Sequence, residues 1–123
     1  MSANSAPGFK KHPEHRIAIR PADGRVRVTF QGEVIADTQN ALRLEEGSYP
    51  AVYYIPRGDV KMQRLVRSAH RTYCPFKGEA SYFSLAGGAE NAVWSYEKPY
   101  DEMTQIKDLV AFYPDKVDSI AGG

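Results

Sequence analysis

The chain is short of the residues that staple small proteins or bind metals. Cysteine occurs once, at Cys74, which excludes an internal disulfide and argues for a reducing compartment. Histidine occurs three times, and only His70 lies outside the first sixteen residues, so a nucleophile–base–acid triad has almost no base to draw on. His70-x3-Cys74 offers two ligands where a closed zinc site needs four, so no metal site is assigned, although carboxylate-only magnesium binding stays open. No apolar run approaches the roughly 18 residues of a membrane span. Residues 1–8 lack the apolar stretch of a secretory leader. These absences lead to the expectation of a soluble, cytoplasmic protein with no membrane partner. Charge of one sign is also missing: the net formal charge is +1, too small for an extended nucleic-acid surface. Internal repeats and low-complexity segments are absent.

What is present is an ordinary globular composition with a surplus of tyrosine. The 123 residues are 42% hydrophobic and 25% charged, enough for one domain with its own core. Eight tyrosines favour strands and wet-edged pockets. Residues 1–13 are small, polar and basic and read as a flexible lead, with Lys10, Lys11, His12, His15 and Arg16 as a local basic cluster. Period-2 alternation then sets in at Ile17 and Ile19 and continues through Val26, Val28 and Phe30. Gln31-Gly32 reads as a hairpin turn into residues 33–37. Leu42 with Leu44 and the apolar stretch 51–55 add two further strands. Asp59 is placed to cap a short helix over residues 60–67, and residues 68–71 read as loop. Strand patterns return at 80–85, 92–96 and 109–113, with one helical turn at 102–107 that points Met103 and Ile106 inward. Close spacing of short strands implies an antiparallel meander rather than βαβ units. The fold class expected is mainly β (α+β in the loose sense). It is a single compact domain over residues 14–118, made of curved antiparallel sheets, tent- or barrel-like, with one short helix and a frayed tail at 119–123.

The densest chemistry lies in Thr72-Tyr73-Cys74-Pro75-Phe76-Lys77-Gly78, which runs into Glu79-Ala80-Ser81-Tyr82. Cys74 and Lys77 are the candidate catalytic residues, the first as a nucleophile stabilised by a nearby cation and the second as an electrostatic stabiliser or Schiff-base amine. The bland alternatives are a buried small hydrophobe and an outward-pointing turn lysine. Gly78 would let backbone amides approach an anion. Arg57 can offer a fixed guanidinium to a carboxylate or phosphate, or pair with an internal acid. Tyr53, Tyr54, Tyr73, Tyr82, Trp94, Tyr96 and Tyr113 can line a cleft for a planar ligand or simply pack.

Four segments occur in order: Tyr54-Ile55-Pro56-Arg57-Gly58-Asp59-Val60, the Thr72-to-Tyr82 run, Ala92-Val93-Trp94-Ser95-Tyr96, and Ala111-Phe112-Tyr113. With them the chain resembles the domain-of-unknown-function 427 family over roughly residues 16–117. The resemblance implies a compact, mainly β, tent- or barrel-like fold. The family has been catalogued under a nucleotidyltransferase label, yet this chain has neither a Walker-type loop nor a Gly-Ser pair followed by paired aspartates. The family's motif positions correspond here to Arg57, Asp59, Thr72, Cys74, Pro75, Lys77, Gly78, Tyr82, Trp94 and Tyr96. The leading expectation is a small domain binding an anionic or planar small molecule, with Arg57, Lys77, Tyr82, Trp94 and Tyr96 as ligand contacts. A group-transfer enzyme, nucleotidyl or acyl, using Cys74 or Lys77 is one alternative. A structural or interaction module is another. Cofactor and oligomeric state are not set by these residues.

Overall fold

A computed structural model describes residues 4–122, which form ten strands in three antiparallel sheets. The strands are β1 Ile17–Pro21, β2 Val26–Phe30, β3 Glu33–Thr38, β4 Leu42–Glu46, β5 Val52–Tyr54, β6 Leu65–Cys74, β7 Gly78–Leu85, β8 Ala89–Ser95, β9 Val110–Phe112 and β10 Ser119–Gly122. The sheet orders are β1-β4-β5, β10-β2-β3 and β6-β7-β8-β9.

Apolar alternation explains the stacking. Along β7 to β9, Ala80, Tyr82, Tyr96 and Ala111 join Leu44 and Tyr54 in one buried cluster. The intervening residues Phe83, Leu85, Val93, Val110 and Phe112 join Val26, Val28 and Ile35 in another. Strands β7 to β9 are therefore buried on both faces, with β1-β4-β5 over one and β10-β2-β3 over the other, while β6 is largely exposed. Ile55 and Val110 exchange backbone hydrogen bonds of 2.8 and 2.9 Å, which tie β5 to β9. Seven strands thus run as one curled sheet, β1-β4-β5-β9-β8-β7-β6. The curl does not close, because β1 and β6 are not paired.

The mainly β fold expected from alternation is the fold found, as an open curl and not a closed barrel. Several local expectations are overturned. Residues 60–67 are not a helix: two single 3₁₀ turns, Arg57–Asp59 and Met62–Arg64, lead straight into β6. Asp59 caps nothing and accepts a 2.7 Å hydrogen bond from Thr38 Oγ1 instead. Val60 pairs as a bridge with Ala36, and Lys61 N donates to Ile35 O at 2.8 Å. Tertiary pairing outcompetes a helix too short to be stable by itself. Residues 68–71, read as loop, belong to β6 as well. There the ladder steps from Arg67↔Phe83 to Arg71↔Ser81, so Ser68, Ala69 and His70 stand opposite Tyr82 alone. A matching bulge in β8 sets Glu90, Asn91 and Ala92 opposite Ser84, with Asn91 in the left-handed region. Ser68 Oγ donates to Asn91 Oδ1 at 2.5 Å and links the two bulges across β7.

Both termini are engaged within the described residues. Pro7–Lys11 forms a short α-helix, α1, with Gly8 buried, and Gly8 N donates to Pro75 O at 2.9 Å. Asn4 and Ala6 donate backbone hydrogen bonds to the carboxylates of Asp101 and Glu102. Composition alone makes residues 1–13 a flexible lead; from Asn4 onward this segment packs on the body, and residues 1–3 fall outside the described part. The tail expected to fray supplies β10, which pairs with β2 through Gly122; Gly123 lies outside the described residues. Met103 and Ile106 are buried, as their spacing implies.

Candidate functional site

The open seam of the curl is bridged at one end by polar side chains. Lys77 lies in the turn between β6 and β7, which Pro75 and Gly78 shape. Gly78 has φ +115°, and a Cβ there would stand 3.3 Å from Lys98 O and 3.4 Å from Pro99 Cα. The turn therefore needs glycine for its backbone angle and for the approach of residues 98–100. It directs Lys77 inward: the residue is only 8% exposed, and its Nζ donates to Glu46 Oε1 at 2.7 Å. Glu46, at the end of β4, turns its other oxygen to His15 Nε2, also at 2.7 Å. Burial by itself would raise the Glu46 carboxyl, but the Lys77 and His15 hydrogen bonds outweigh it and hold the group below its ordinary range. The His15 ring stacks on Phe76, with centroids 4.0 Å apart. Cys74, half-buried at the end of β6, has its Sγ 3.9 Å from Lys77 Nζ.

Beyond this cluster the inner surface of the curl is aromatic. Trp94 Nε1 donates to Tyr54 Oη at 3.2 Å, and the Trp94 and Tyr113 rings lie 4.4 Å apart. The Tyr82 hydroxyl lies 2.9 Å from Thr72 Oγ1 and 3.3 Å from that of Tyr113, and His70 sets its ring edge-on to Tyr82 at 4.6 Å. Burial pushes the Tyr54, Tyr96 and Tyr113 phenols well above their ordinary range, so all three remain neutral donors at physiological pH. Tyr96 is 7% exposed, and burial leads its upward shift, followed by the fields of Tyr54, Cys74, Tyr82 and Glu46.

Of the residues singled out in the sequence, Lys77, Cys74, Tyr82, Trp94 and Tyr96 are gathered on this inner surface. Arg57 is not. Its guanidinium reaches the other face of the sheet, donating to Asp108 O at 2.7 Å, Ser95 Oγ at 3.0 Å and Glu97 Oε2 at 2.9 Å. Arg67 adds a two-pronged pair to Glu97 at 2.9 and 2.8 Å. Both guanidiniums lie over the Phe83 ring, at 5.5 and 4.8 Å. Sequence reasoning missed Glu46 and His15. Glu46 belongs to no sequence motif and His15 reads only as part of a local basic cluster, and the contact that joins Glu46 to Lys77 spans 31 residues of chain. Among the described residues no three His, Cys, Asp or Glu side chains are grouped to hold a metal ion, and no helix is long and apolar enough to cross a membrane.

No curated protein matches the chain. A family model described as Domain of unknown function (DUF427) matches residues 18–123. That span takes in all but the first residue of β1, all of β2 to β10, the Cys74–Gly78 turn and the aromatic surface, and the chain belongs to the DUF427 family.

Proposed function

We propose that the inner surface of the curl binds a small planar molecule. Its ring lies against Tyr82, Trp94 and Tyr113, and a polar or anionic end faces Lys77, Cys74 and Tyr96. The observation that carries this reading is the concentration of phenols, an ion pair and a thiol on one face of the sheet. A face that only had to pack would be filled by aliphatic residues at lower cost in polar burial. Lys77 is already matched by Glu46, so the ligand's polar end gains hydrogen bonds and orientation there more than net charge attraction.

A second reading has one specific observation in its favour. Cys74 Sγ stands 3.9 Å from the Lys77 ammonium, and a cation beside a half-exposed thiol is the setting in which cysteine nucleophiles work. In that case the domain transfers an acyl or nucleotidyl group through Cys74.

Thermal-shift titration against nucleotides, sugar phosphates and aromatic carboxylates separates the readings, since a ligand of the folded state must raise its stability. Binding predicts that at least one compound raises Tm. Tyr96→Phe should cancel that rise while leaving the Tm of the free protein within about 2 °C, because it removes only a hydroxyl. Cys74→Ser should bind as well as the wild type. The enzyme reading predicts instead that Cys74 alkylates with iodoacetamide faster than a free thiol at neutral pH. If no compound shifts Tm and Cys74 alkylates no faster than in the unfolded chain, both readings fail.

A further inference from the structure

We propose a second site: an apolar cavity of about 240 Å³ in the split between β5 and β9 that takes an uncharged molecule the size of a single ring or a short aliphatic chain. The split follows from the strand lengths. β5 and β9 are three residues each and meet only at the Ile55–Val110 bridge, after which the two strands diverge. Val52 and Tyr53 line one side of the opening, Phe112 and Pro114 the other, and Val28 and Ile120 of the second sheet also line it. Trp94 reaches the same cavity and so forms a shared wall with the aromatic inner surface.

The lining chemistry sets the ligand class. No charged side chain lines the cavity. Its one phenol, that of Tyr53, accepts a 2.9 Å hydrogen bond from Arg43 Nη1, which leaves its O–H as a single neutral donor. A charged guest would lose its water and find no opposite charge, whereas one hydroxyl can be met at the Tyr53 rim. The volume sets the size: an apolar cavity of about 150 Å³ holds benzene, so this one suits roughly six to ten non-hydrogen atoms. Ala51, Val52, Tyr53 and Ile120 are each partly exposed, which gives the guest a way in. Close-packed interiors do not keep apolar space of this size without cost, and a guest that fills it restores the lost contacts. The proposal does not depend on the aromatic surface being a ligand site.

The chain has a single tryptophan, so Trp94 fluorescence, excited away from tyrosine, reports on the wall the two sites share, and the cavity-filling variants tell the two apart. Titration of the intact protein with 1-hexanol should give a saturable change in Trp94 emission. Hexanoate at neutral pH, with the same chain but a charged end, should bind at least tenfold more weakly. Ala51→Phe or Ile120→Phe, each filling the cavity from its rim, should abolish the hexanol response, and Tm identifies which variant is folded. A response that fails to saturate, equal affinity for hexanoate, or an unchanged response in a folded filled variant would each overturn the proposal.

Discussion

At the scale of single residues, the turn from Cys74 to Gly78 concentrates the constraints. Gly78 combines a backbone angle forbidden to side-chain-bearing residues with a close approach to Lys98 O. Gly78→Val is expected to cost about 2–4 kcal/mol, measured as a fall in the urea midpoint with unchanged slope. The need for glycine here was readable from its place between a Pro-aromatic-Lys turn and a strand. The orientation of Lys77 was not. A lysine between an aromatic residue and glycine reads equally as a surface residue, and it is Glu46, brought in from β4, that gives the buried ammonium its opposite charge. Arg57 was likewise recognisable as a fixed guanidinium but not assignable to a face, because Asp108 O, Ser95 and Glu97 come from segments some 40 to 50 residues away. Local pattern names the reactive side chains, while their neighbours are set by strand register.

At the scale of elements, the strands were legible because half-buried strands write their period into the chain, as in Val26, Val28 and Phe30. Residues 60–67 misled for a physical reason: their apolar spacing suits one helical face, but the backbone groups of Val60 and Lys61 find partners in β3. The N-terminal segment carries little apolar signal, so its docking was invisible; it is held by hydrogen bonds and by Gly8. A Cβ at Gly8 would lie 2.7 Å from Phe76 Cδ1 and 2.9 Å from Pro75 O. Gly8→Ala is therefore expected to release α1 while the sheets stay folded. Limited proteolysis should cut the variant within residues 4–16 several-fold faster than the wild type, with Tm lowered by only a few degrees. Equal cleavage rates would mean that α1 rides on the surface without holding it.

At the scale of the whole molecule, Glu97 sits under two guanidiniums, and the Arg67 hydrogen bond, helped by Arg57, lowers its carboxyl from an ordinary 4.5 to about 2. A carboxyl depressed in the folded state stabilises the fold fully above the unfolded value, and that contribution is lost as pH falls from about 4.5 towards 2. Solvent screening limits it to roughly 1–2 kcal/mol. Denaturant titrations from pH 6 down to pH 2.5 should show the wild type losing this increment and Glu97→Gln losing less, since glutamine carries no proton to gain; parallel curves would remove Glu97 from the acid response. The paired bulges have a different reach. β6 is ten residues long and lies at the outer rim of its sheet, with Val66 and Tyr73 exposed. A straight rim of that length is a template on which strands from other molecules can add without limit, the first step towards a fibril. The two surplus residues at 68–70, held by the Ser68–Asn91 link, break the ladder in its middle. The irregularity that gives His70 its place beside Tyr82 thereby also keeps neighbouring copies of the chain from joining edge to edge in a crowded solution.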